Sequence, residues 1–182
     1  MAGNSTGQRL ETLYVIVTGA GTARRIPALI GRLATAFEKV IVVPTENASR
    51  VVSRRELALI DDVEVVDSYF DPAIMPYPPE GVLLVAPCTF NSLNKLAHGI
   101  ADTLALSISA EAIGRGTPAV VAISVNPPLY NHPQTRASIS RLRSWGVEVI
   151  DPAESNGWMT LAGDEEIVET VLAVQESYAA GS

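Results

Sequence analysis

The sequence predicts an α/β protein with a single doubly wound parallel sheet and helices on both faces. Three apolar runs, residues 13–17, 82–86 and 118–124, lack the polar alternation of half-exposed strands. Continuous apolar runs are typical of parallel strands that are covered on both faces. Segments with helical spacing separate these strands, and no internal repeat or domain boundary interrupts the alternation.

The composition limits the size class of the protein and its partners. The 182 residues are 47% hydrophobic with a mean hydropathy of +0.22, which suits one domain with a sizeable core. The net charge of −7 and the sequence pI near 4.8 argue against nucleic acid or an anionic membrane as the main partner. We therefore expect no nucleic-acid partner and no membrane partner.

The cysteine count and the first residues bear on the cellular compartment. One cysteine excludes an internal disulfide framework and a multi-cysteine zinc site, and no metal site is predicted. Residues 1–10 are polar and lack the apolar core of a signal peptide, and no apolar run is long enough to span a bilayer. We predict a cytoplasmic protein with a disordered tail over residues 1–10 and a single domain over residues 11–182.

The remaining segments complete the predicted order. Residues 67–81 are proline-rich with few helix or strand signals, so they are predicted to form a long loop. The helix that starts after the fourth strand is predicted to continue until Gly114 and Gly116 end it. The other predicted elements are helices at 26–33, 48–60, 136–145 and 164–178, strands at 40–43, 63–66 and 147–150, and a mobile loop at 153–160.

A glycine turn follows the first strand. Gly19 and Gly21 let the backbone approach a ligand, the start of the next helix supplies free N–H groups, and Thr22 adds a hydroxyl. A dinucleotide fingerprint would need a third glycine where Arg24 stands and an acidic residue near Thr45, where the second strand ends. The pattern therefore favours a phosphate-binding turn. Arg24 either points into solvent or lies beside a phosphate or an acidic substrate, and the sequence leaves both open.

The stretch 82–104 joins the fourth strand to a helix through a polar segment. The first N–H groups of a helix lack partners within the helix, and the helix dipole makes that end electropositive. Asn91 and Ser92 are good N-cap residues, and Thr89 adds a hydroxyl. These features suit a ligand site, and an ordinary capped turn between strand and helix would show them too.

This stretch resembles the signature of a known family. Residues 87–92 are Pro-Cys-Thr-Phe-Asn-Ser, and residues 94–102 contain Asn-Lys-Leu-Ala and Gly-Ile-Ala-Asp. The pattern is similar to that of the homo-oligomeric flavin-containing cysteine decarboxylases, which include phosphopantothenoylcysteine decarboxylases and the peptidyl-cysteine decarboxylases of lantibiotic synthesis. Their hallmark is Pro-Ala-Ser-Ala-Asn-Thr, from which this chain departs at Cys88, Phe90 and Ser92.

The resemblance implies a Rossmann-like (flavodoxin-like) fold and FMN as the cofactor. In the family, the first glycine turn contacts the FMN phosphate, and a hydroxyl residue after the second strand assists. Ser53 alone is better explained as a helix cap, and Cys88 is expected to be a buried, unreactive thiol. The implied FMN-binding residues are Gly19, Gly21, Thr22, Thr45, Ser53, Pro87, Cys88, Thr89 and Asn91.

The resemblance also implies a reaction and a set of substrate residues. In the family, oxidised FMN withdraws electrons from a C-terminal cysteine, which then loses CO₂ to give an enethiol. Asn91 matches the residue that would position the carboxylate. The family histidine before the fourth strand falls near Ala73 here, so His132 is the candidate replacement, and Asn91 and His132 are the predicted catalytic residues. Three residues after the fifth strand are substrate-binding candidates by position: Asn126, Tyr130 and Asn131.

The absence of a cysteine in the predicted flap indicates which reaction of the family to expect. In phosphopantothenoylcysteine decarboxylases a flap cysteine reduces the oxidised intermediate, whereas the corresponding segment, residues 153–160, contains no cysteine. We therefore predict an FMN-dependent oxidative decarboxylase that acts on a peptide or small molecule ending in cysteine. The family further implies a homotrimer or a homododecamer, with the flavin near a subunit boundary.

The sequence is also compatible with other functions. One is an FMN-binding family member without decarboxylase activity, or a partner subunit, because Ala73 stands where the histidine is expected. Another is an enzyme like phosphopantothenoylcysteine decarboxylase. Flavin prenyl transfer would need a basic and aromatic phosphate-binding set that is not evident in the sequence.

Overall fold

The computed structural model describes residues 10–181 and confirms the predicted α/β sheet. The predicted tail lies outside the described residues except for Leu10, which is buried. The strands of the main sheet are β1 (Thr12–Val17), β2 (Lys39–Pro44), β3 (Val63–Val65), β4 (Val82–Cys88), β5 (Ala119–Ile123) and β6 (Glu148–Ile150). They are parallel and lie in the order β3-β2-β1-β4-β5-β6, so the strand order reverses between β1 and β4.

Helices connect the strands. They are α1 (Ile26–Leu33), α2 (Arg54–Leu57), α3 (Phe90–Ala97), α4 (Leu104–Arg115), α5 (Pro127–Tyr130), α6 (Pro133–Ser144) and α7 (Asp164–Gly181). Short 3-10 turns lie at Gly21–Arg25, Ala34–Ala36, Ala48–Arg50 and Pro72–Ile74. Within residues 10–181, no helix combines the length and the apolar composition that crossing a bilayer requires.

Alternate residues of the strands build two separate cores. In β1, Leu13 and Val15 face the core that α1 and α7 cover, while Tyr14 and Ile16 face the core under α3, α4 and α6. The side chains of a strand point to opposite faces in turn, so a strand covered on both sides must be apolar at every position. This explains the continuous apolar runs from which the sheet was predicted.

The single helix predicted beyond the central motif is two helices in the structure. Gly99 has a φ of 66°, a left-handed conformation that ends α3. Thr103 then starts α4, and its side chain accepts a hydrogen bond from the Leu106 N–H at 3.3 Å. The prediction was wrong because small and apolar residues keep their helical spacing across the break.

The start of α3 also differs from the prediction. Thr89 is the N-cap, and its hydroxyl accepts a hydrogen bond from the Ser92 N–H at 3.4 Å. Asn91 and Ser92, the predicted caps, lie inside the first turn. The reason is that β4 continues to Cys88, two residues beyond its predicted end, so that Thr89 is the first residue available to cap the helix.

Three further elements were predicted with wrong boundaries or type. The predicted helix 48–60 is a 3-10 turn followed by the single turn of α2, and α6 begins at Pro133 rather than at residue 136. The predicted loop 153–160 forms an antiparallel hairpin of β7 (Ala153–Ser155) and β8 (Trp158–Thr160). Asn156 and Gly157 have φ values of 51° and 78°, as a two-residue type I′ turn requires.

Leu84 offers a test of the core between the sheet and α1 and α7. The Leu84 side chain is fully buried in β4, whereas Leu59 is 75% exposed. We expect Leu84→Ala to lower the free energy of unfolding by about 2–5 kcal/mol, because it removes buried methyl groups and leaves a cavity. Leu59→Ala, the matched control, should change it by less than about 0.5 kcal/mol. Urea denaturation measures both, and equal losses would contradict the assigned core.

Candidate functional site

A cavity of about 270 Å³ lies at the carboxyl ends of β1 and β4. This is the point where the strand order reverses, and ligands of open α/β sheets bind in the crevice there. The sheet and helices α3 and α4 supply an apolar wall that includes Ile16, Val85, Leu96 and Leu106. Four of the predicted site residues also line the cavity: Gly19, Thr45, Thr89 and Asn91.

The Thr18 side chain joins the two strand ends beneath the cavity. Its hydroxyl donates a hydrogen bond to the Pro87 carbonyl oxygen at 2.6 Å and accepts one from the Thr89 N–H at 3.1 Å. Thr18 is almost fully buried, so both bonds are shielded from water. The end of β1 and the start of α3 are therefore held together by a single side chain.

The glycine turn after β1 packs tightly against the loop after β2. A Cβ atom on Gly19 would lie 2.5 Å from the Asn47 Cβ atom and 3.0 Å from the Asn47 carbonyl carbon. Thr45 fixes that loop, because its N–H donates to the Val17 carbonyl oxygen at 2.9 Å. Gly21 differs, because a Cβ atom there would meet nothing within 4 Å. Gly19 is thus packed against the loop after β2, whereas the space beside Gly21 is free of other protein atoms.

Asn91 and Lys95 reach the cavity from successive turns of α3. Asn91 is exposed, and the helix cap is supplied by Thr89 rather than by the Asn91 amide. Lys95 lies four residues further along, on the same face of the helix. Its ammonium Nζ lies 2.5 Å from a carboxylate oxygen of Asp102, in the link between α3 and α4. Asn91 and Lys95 therefore contribute an amide and an ammonium group to the cavity lining, and Asp102 lies outside it.

Several predicted cofactor residues lie outside the cavity lining. The Thr22 hydroxyl lies 2.7 Å from the Ser124 hydroxyl, beyond β5. Ser53 is exposed and caps α2, where it accepts a hydrogen bond from the Glu56 N–H at 3.0 Å. Pro87 belongs to β4, where its carbonyl oxygen accepts from Thr18. The structure therefore gives Thr22 and Ser53 local partners of their own.

Cys88 is completely buried at the end of β4. Burial raises the pKa of its thiol far above the ordinary range, because the thiolate would lose its hydration. A thiol that stays protonated and inaccessible is a poor nucleophile. The structure thus agrees with the expectation of an inert thiol, and it places the sulfur outside the cavity lining.

The predicted substrate residues form a second group beyond β5. The Asn126 side chain accepts a hydrogen bond from the Leu129 N–H at 3.1 Å and thereby caps α5. The Tyr130 hydroxyl donates to a carboxylate oxygen of Asp151 at 2.9 Å. Burial and this hydrogen bond raise the pKa of Tyr130. Asn131 is exposed beside them, and none of the three lines the cavity at β1 and β4.

His132 also lies outside the cavity lining, next to the start of α3. Its Nδ1 accepts a hydrogen bond from the Gln134 N–H at 3.0 Å and caps α6. Its ring packs edge-on against Phe90, with 5.3 Å between the ring centroids. His132 therefore neighbours the residue before Asn91, and the two predicted catalytic residues do not share one cavity wall.

Sequence reasoning missed several residues that line the cavity. The signal for Lys95 was present, because it follows Asn91 at the four-residue spacing that places two side chains on one helix face. Thr18 directly precedes the glycine turn and could have been found in the same way. Ser109 comes from a segment without any motif, and Asn47 and Thr103 lie close to predicted residues or to the motif without belonging to it, so only the fold shows that these three line the cavity.

Arg25 has a structural role in the described fold. Its guanidinium donates to the carbonyl oxygens of Leu161 and Ala162 at 2.9 and 2.8 Å and pairs with Asp164 at the start of α7. These contacts tie the turn after β1 to the last helix. Arg24 is exposed near the end of the same 3-10 turn.

The close contact of Gly19 generates a test. We expect Gly19→Ala to lower the free energy of unfolding by about 1–3 kcal/mol, because the added methyl group collides with Asn47 and forces the two loops apart. Gly21→Ala should leave stability unchanged or raise it by up to about 1 kcal/mol, since the methyl group has space there. Thermal unfolding measures both, and an undiminished stability of Gly19→Ala would contradict the contact.

Comparison with known proteins identifies relatives over most of the chain. The chain is 30% identical over 151 residues to the bifunctional coenzyme A biosynthesis protein CoaBC of Bacillus subtilis, covering 79% of this chain and 36% of that protein. It is 28% identical over 179 residues to phosphopantothenoylcysteine decarboxylase of Mus musculus, covering 91% and 86%. The chain thus spans well under half the length of its bifunctional relatives, 22% in Thermococcus kodakarensis and 36% in B. subtilis.

Solved structures share the fold at lower identity. The peptidyl-cysteine decarboxylase EpiD superposes with a TM-score of 0.75 at 22% identity, covering 88% of this chain and 98% of that one. A phosphopantothenoylcysteine decarboxylase variant complexed with pantothenoylaminoethenethiol gives 0.75 at 22% identity, covering 92% and 100%. The sequence model described as Flavoprotein matches residues 2–176. With nearly the whole chain matched, the protein belongs to the flavoprotein family.

Proposed function

We propose that the protein binds FMN and oxidatively decarboxylates a substrate that ends in cysteine. The observation that carries the proposal is the convergence of Gly19, Thr45 and Asn91 on one cavity at the carboxyl ends of β1 and β4. The family supports it, and so do the names of the relatives, which include phosphopantothenoylcysteine and peptidyl-cysteine decarboxylases.

The residues present fit FMN. Gly19 of the first turn and the Thr45 hydroxyl line the cavity and would hold the phosphate, whereas Gly21 lies outside the lining. The apolar wall of Ile16 and Val85 would receive the ring. At about 270 Å³ the cavity is slightly smaller than most small-molecule sites, whose volumes begin at roughly 300 Å³. FMN would therefore extend beyond the cavity.

Asn91 suits the loss of a carboxylate. A neutral amide can orient the carboxylate by hydrogen bonding, whereas a free cation would favour the charged ground state over the departing CO₂. The only cation on the cavity wall among the described residues, Lys95, is already paired with Asp102. When bound, FMN supplies the acceptor for the two electrons that the substrate loses, and dioxygen is the oxidant that renews it.

The hairpin of β7 and β8 favours the oxidative form of the reaction. It occupies the segment corresponding to the flap of the coenzyme A pathway enzymes, and residues 153–160 carry no thiol that could return electrons. The substrate would therefore lose CO₂ together with two hydrogens and leave as an enethiol. The cytoplasmic location and the homotrimeric or homododecameric assembly remain predictions.

Two other functions each have an observation in their favour. Similarity over 86% of the mouse phosphopantothenoylcysteine decarboxylase favours a redox-neutral enzyme of that type. The position of His132, outside the cavity and engaged as a helix cap, favours an FMN-binding family member without decarboxylase activity, or a partner subunit.

The mass of the product distinguishes these functions. We expect the purified protein to show a flavin absorbance spectrum and to release FMN on denaturation. Incubated in air with a peptide ending in cysteine, it should lower the peptide mass by that of formic acid, which equals CO₂ plus two hydrogens. The same peptide ending in serine is the control and should not change. Loss of CO₂ alone would favour the redox-neutral enzyme, and bound flavin without any mass change would favour the non-catalytic role.

Replacement of the two predicted catalytic residues tests their roles. We expect Asn91→Asp to lower turnover by roughly 10²–10³-fold with flavin retained, because a negative charge would repel the substrate carboxylate. His132→Asn keeps a good N-cap for α6, so the melting temperature should hold, and turnover should fall roughly 10²-fold because the Nε2–H donor of the imidazole is lost. Unchanged turnover in His132→Asn would leave that residue with a structural role only.

A further inference from the structure

We propose that Lys95 sets the reduction potential of the bound flavin and that Asp102 attenuates its effect. The inference rests on the proposed function, because it requires FMN in the cavity. Among the described residues that line the cavity, Lys95 is the only one with a cationic side chain. Asp102, its partner, does not line the cavity, so the pair presents its positive end to the ligand.

The geometry holds this charge in place. Lys95 lies on the second turn of α3, and its side chain is 26% exposed, against 51% for Asp102. The link that carries Asp102 is fixed at one end by the left-handed Gly99 and at the other by Thr103, the N-cap of α4. The lysine is therefore the more buried partner and is oriented by an aspartate whose own backbone is constrained.

Other charges near the cavity are screened more strongly. Glu46 is the only acidic residue in the lining among the described residues, but its side chain is 90% exposed. A carboxylate oxygen of Glu46 lies 3.5 Å from a guanidinium nitrogen of Arg50, at the end of the 3-10 turn that follows. Water surrounds that carboxylate, and exposed charges interact weakly through solvent. The less exposed ammonium of Lys95 therefore dominates the field inside the cavity.

A cation at this wall has a defined effect on a flavin. Reduction by two electrons with uptake of one proton leaves the ring one unit more negative than before. A nearby positive charge stabilises the more negative state and raises the potential, as charged groups near a flavin ring generally do. Asp102 weakens this effect by partial neutralisation. The same pairing keeps the ammonium from binding the substrate carboxylate, which leaves that task to Asn91.

Replacing Lys95 and replacing Asp102 should shift the reduction potential of the FMN-loaded protein in opposite directions. We expect Lys95→Met to lower the equilibrium constant for two-electron reduction at least tenfold, which is a shift of about −30 mV. Asp102→Asn should shift the potential upward, because it leaves the ammonium unneutralised. Sulfite, which adds to oxidised flavins to form an anionic adduct, should bind at least tenfold more weakly to Lys95→Met and more tightly to Asp102→Asn.

Matched variants separate this role from a structural one. Lys95→Arg keeps the charge and should keep the potential. Arg115→Met breaks a pair with Glu111 that lies away from the cavity, and it should leave the potential unchanged. A purely structural ion pair would make Lys95→Met and Asp102→Asn behave alike, and equal shifts or no shifts would overturn the inference.

The remaining outcomes are also decisive. If Lys95→Met no longer binds FMN while it remains folded, the lysine anchors the cofactor, and the inference fails. If the wild-type protein takes up no FMN at all, the proposed function fails and the inference fails with it. Flavin binding without decarboxylation in the wild type would overturn the proposed reaction alone, because the potentials can still be measured.

Discussion

One buried hydroxyl group connects the two halves of the sheet at the place where a ligand would bind. Connections from β1 and β4 leave toward opposite faces, so the carboxyl ends of these neighbouring strands diverge. Thr18 bridges the gap by accepting from the Thr89 N–H and donating to the Pro87 carbonyl oxygen. The glycine turn and the first turn of α3 therefore keep a fixed separation, and the polar part of the cavity depends on backbone geometry more than on long side chains.

The apolar part of the cavity depends on the break between α3 and α4. A continuous helix would carry the residues after Gly99 straight on, whereas the left-handed glycine and the Thr103 cap redirect the chain. The redirected helix brings Leu106 and Ser109 into the cavity lining. The same link carries Asp102 to Lys95. The break between α3 and α4 thus positions both the residues of α4 that line the cavity and the aspartate of the ion pair.

The sequence was informative where a regular pattern or a motif was present. Buried strands were predicted because both faces of the sheet are covered, and Thr89 and Asn91 were found because they stand in a motif. The break at Gly99 was missed because helical spacing continues through it. The Asn156 turn signal was present, but strands of three residues carry almost no periodicity. Contacts between distant segments, such as that of Asn47 with Gly19, leave no local trace in the sequence.

The hydrogen bond at Nδ1 of His132 limits the roles that this side chain could have in the proposed reaction. Phe90 is a departure from the family motif, and its ring packs against His132, the proposed replacement for the family histidine. Nδ1 of His132 accepts a backbone hydrogen bond, so in the neutral ring the hydrogen resides on Nε2. Such a ring can donate a hydrogen bond but cannot accept a proton without losing the tautomer that the α6 cap requires. In the proposed reaction, His132 would therefore act as a neutral hydrogen-bond donor to a carboxylate or thiolate, as proposed for Asn91, and not as a general base.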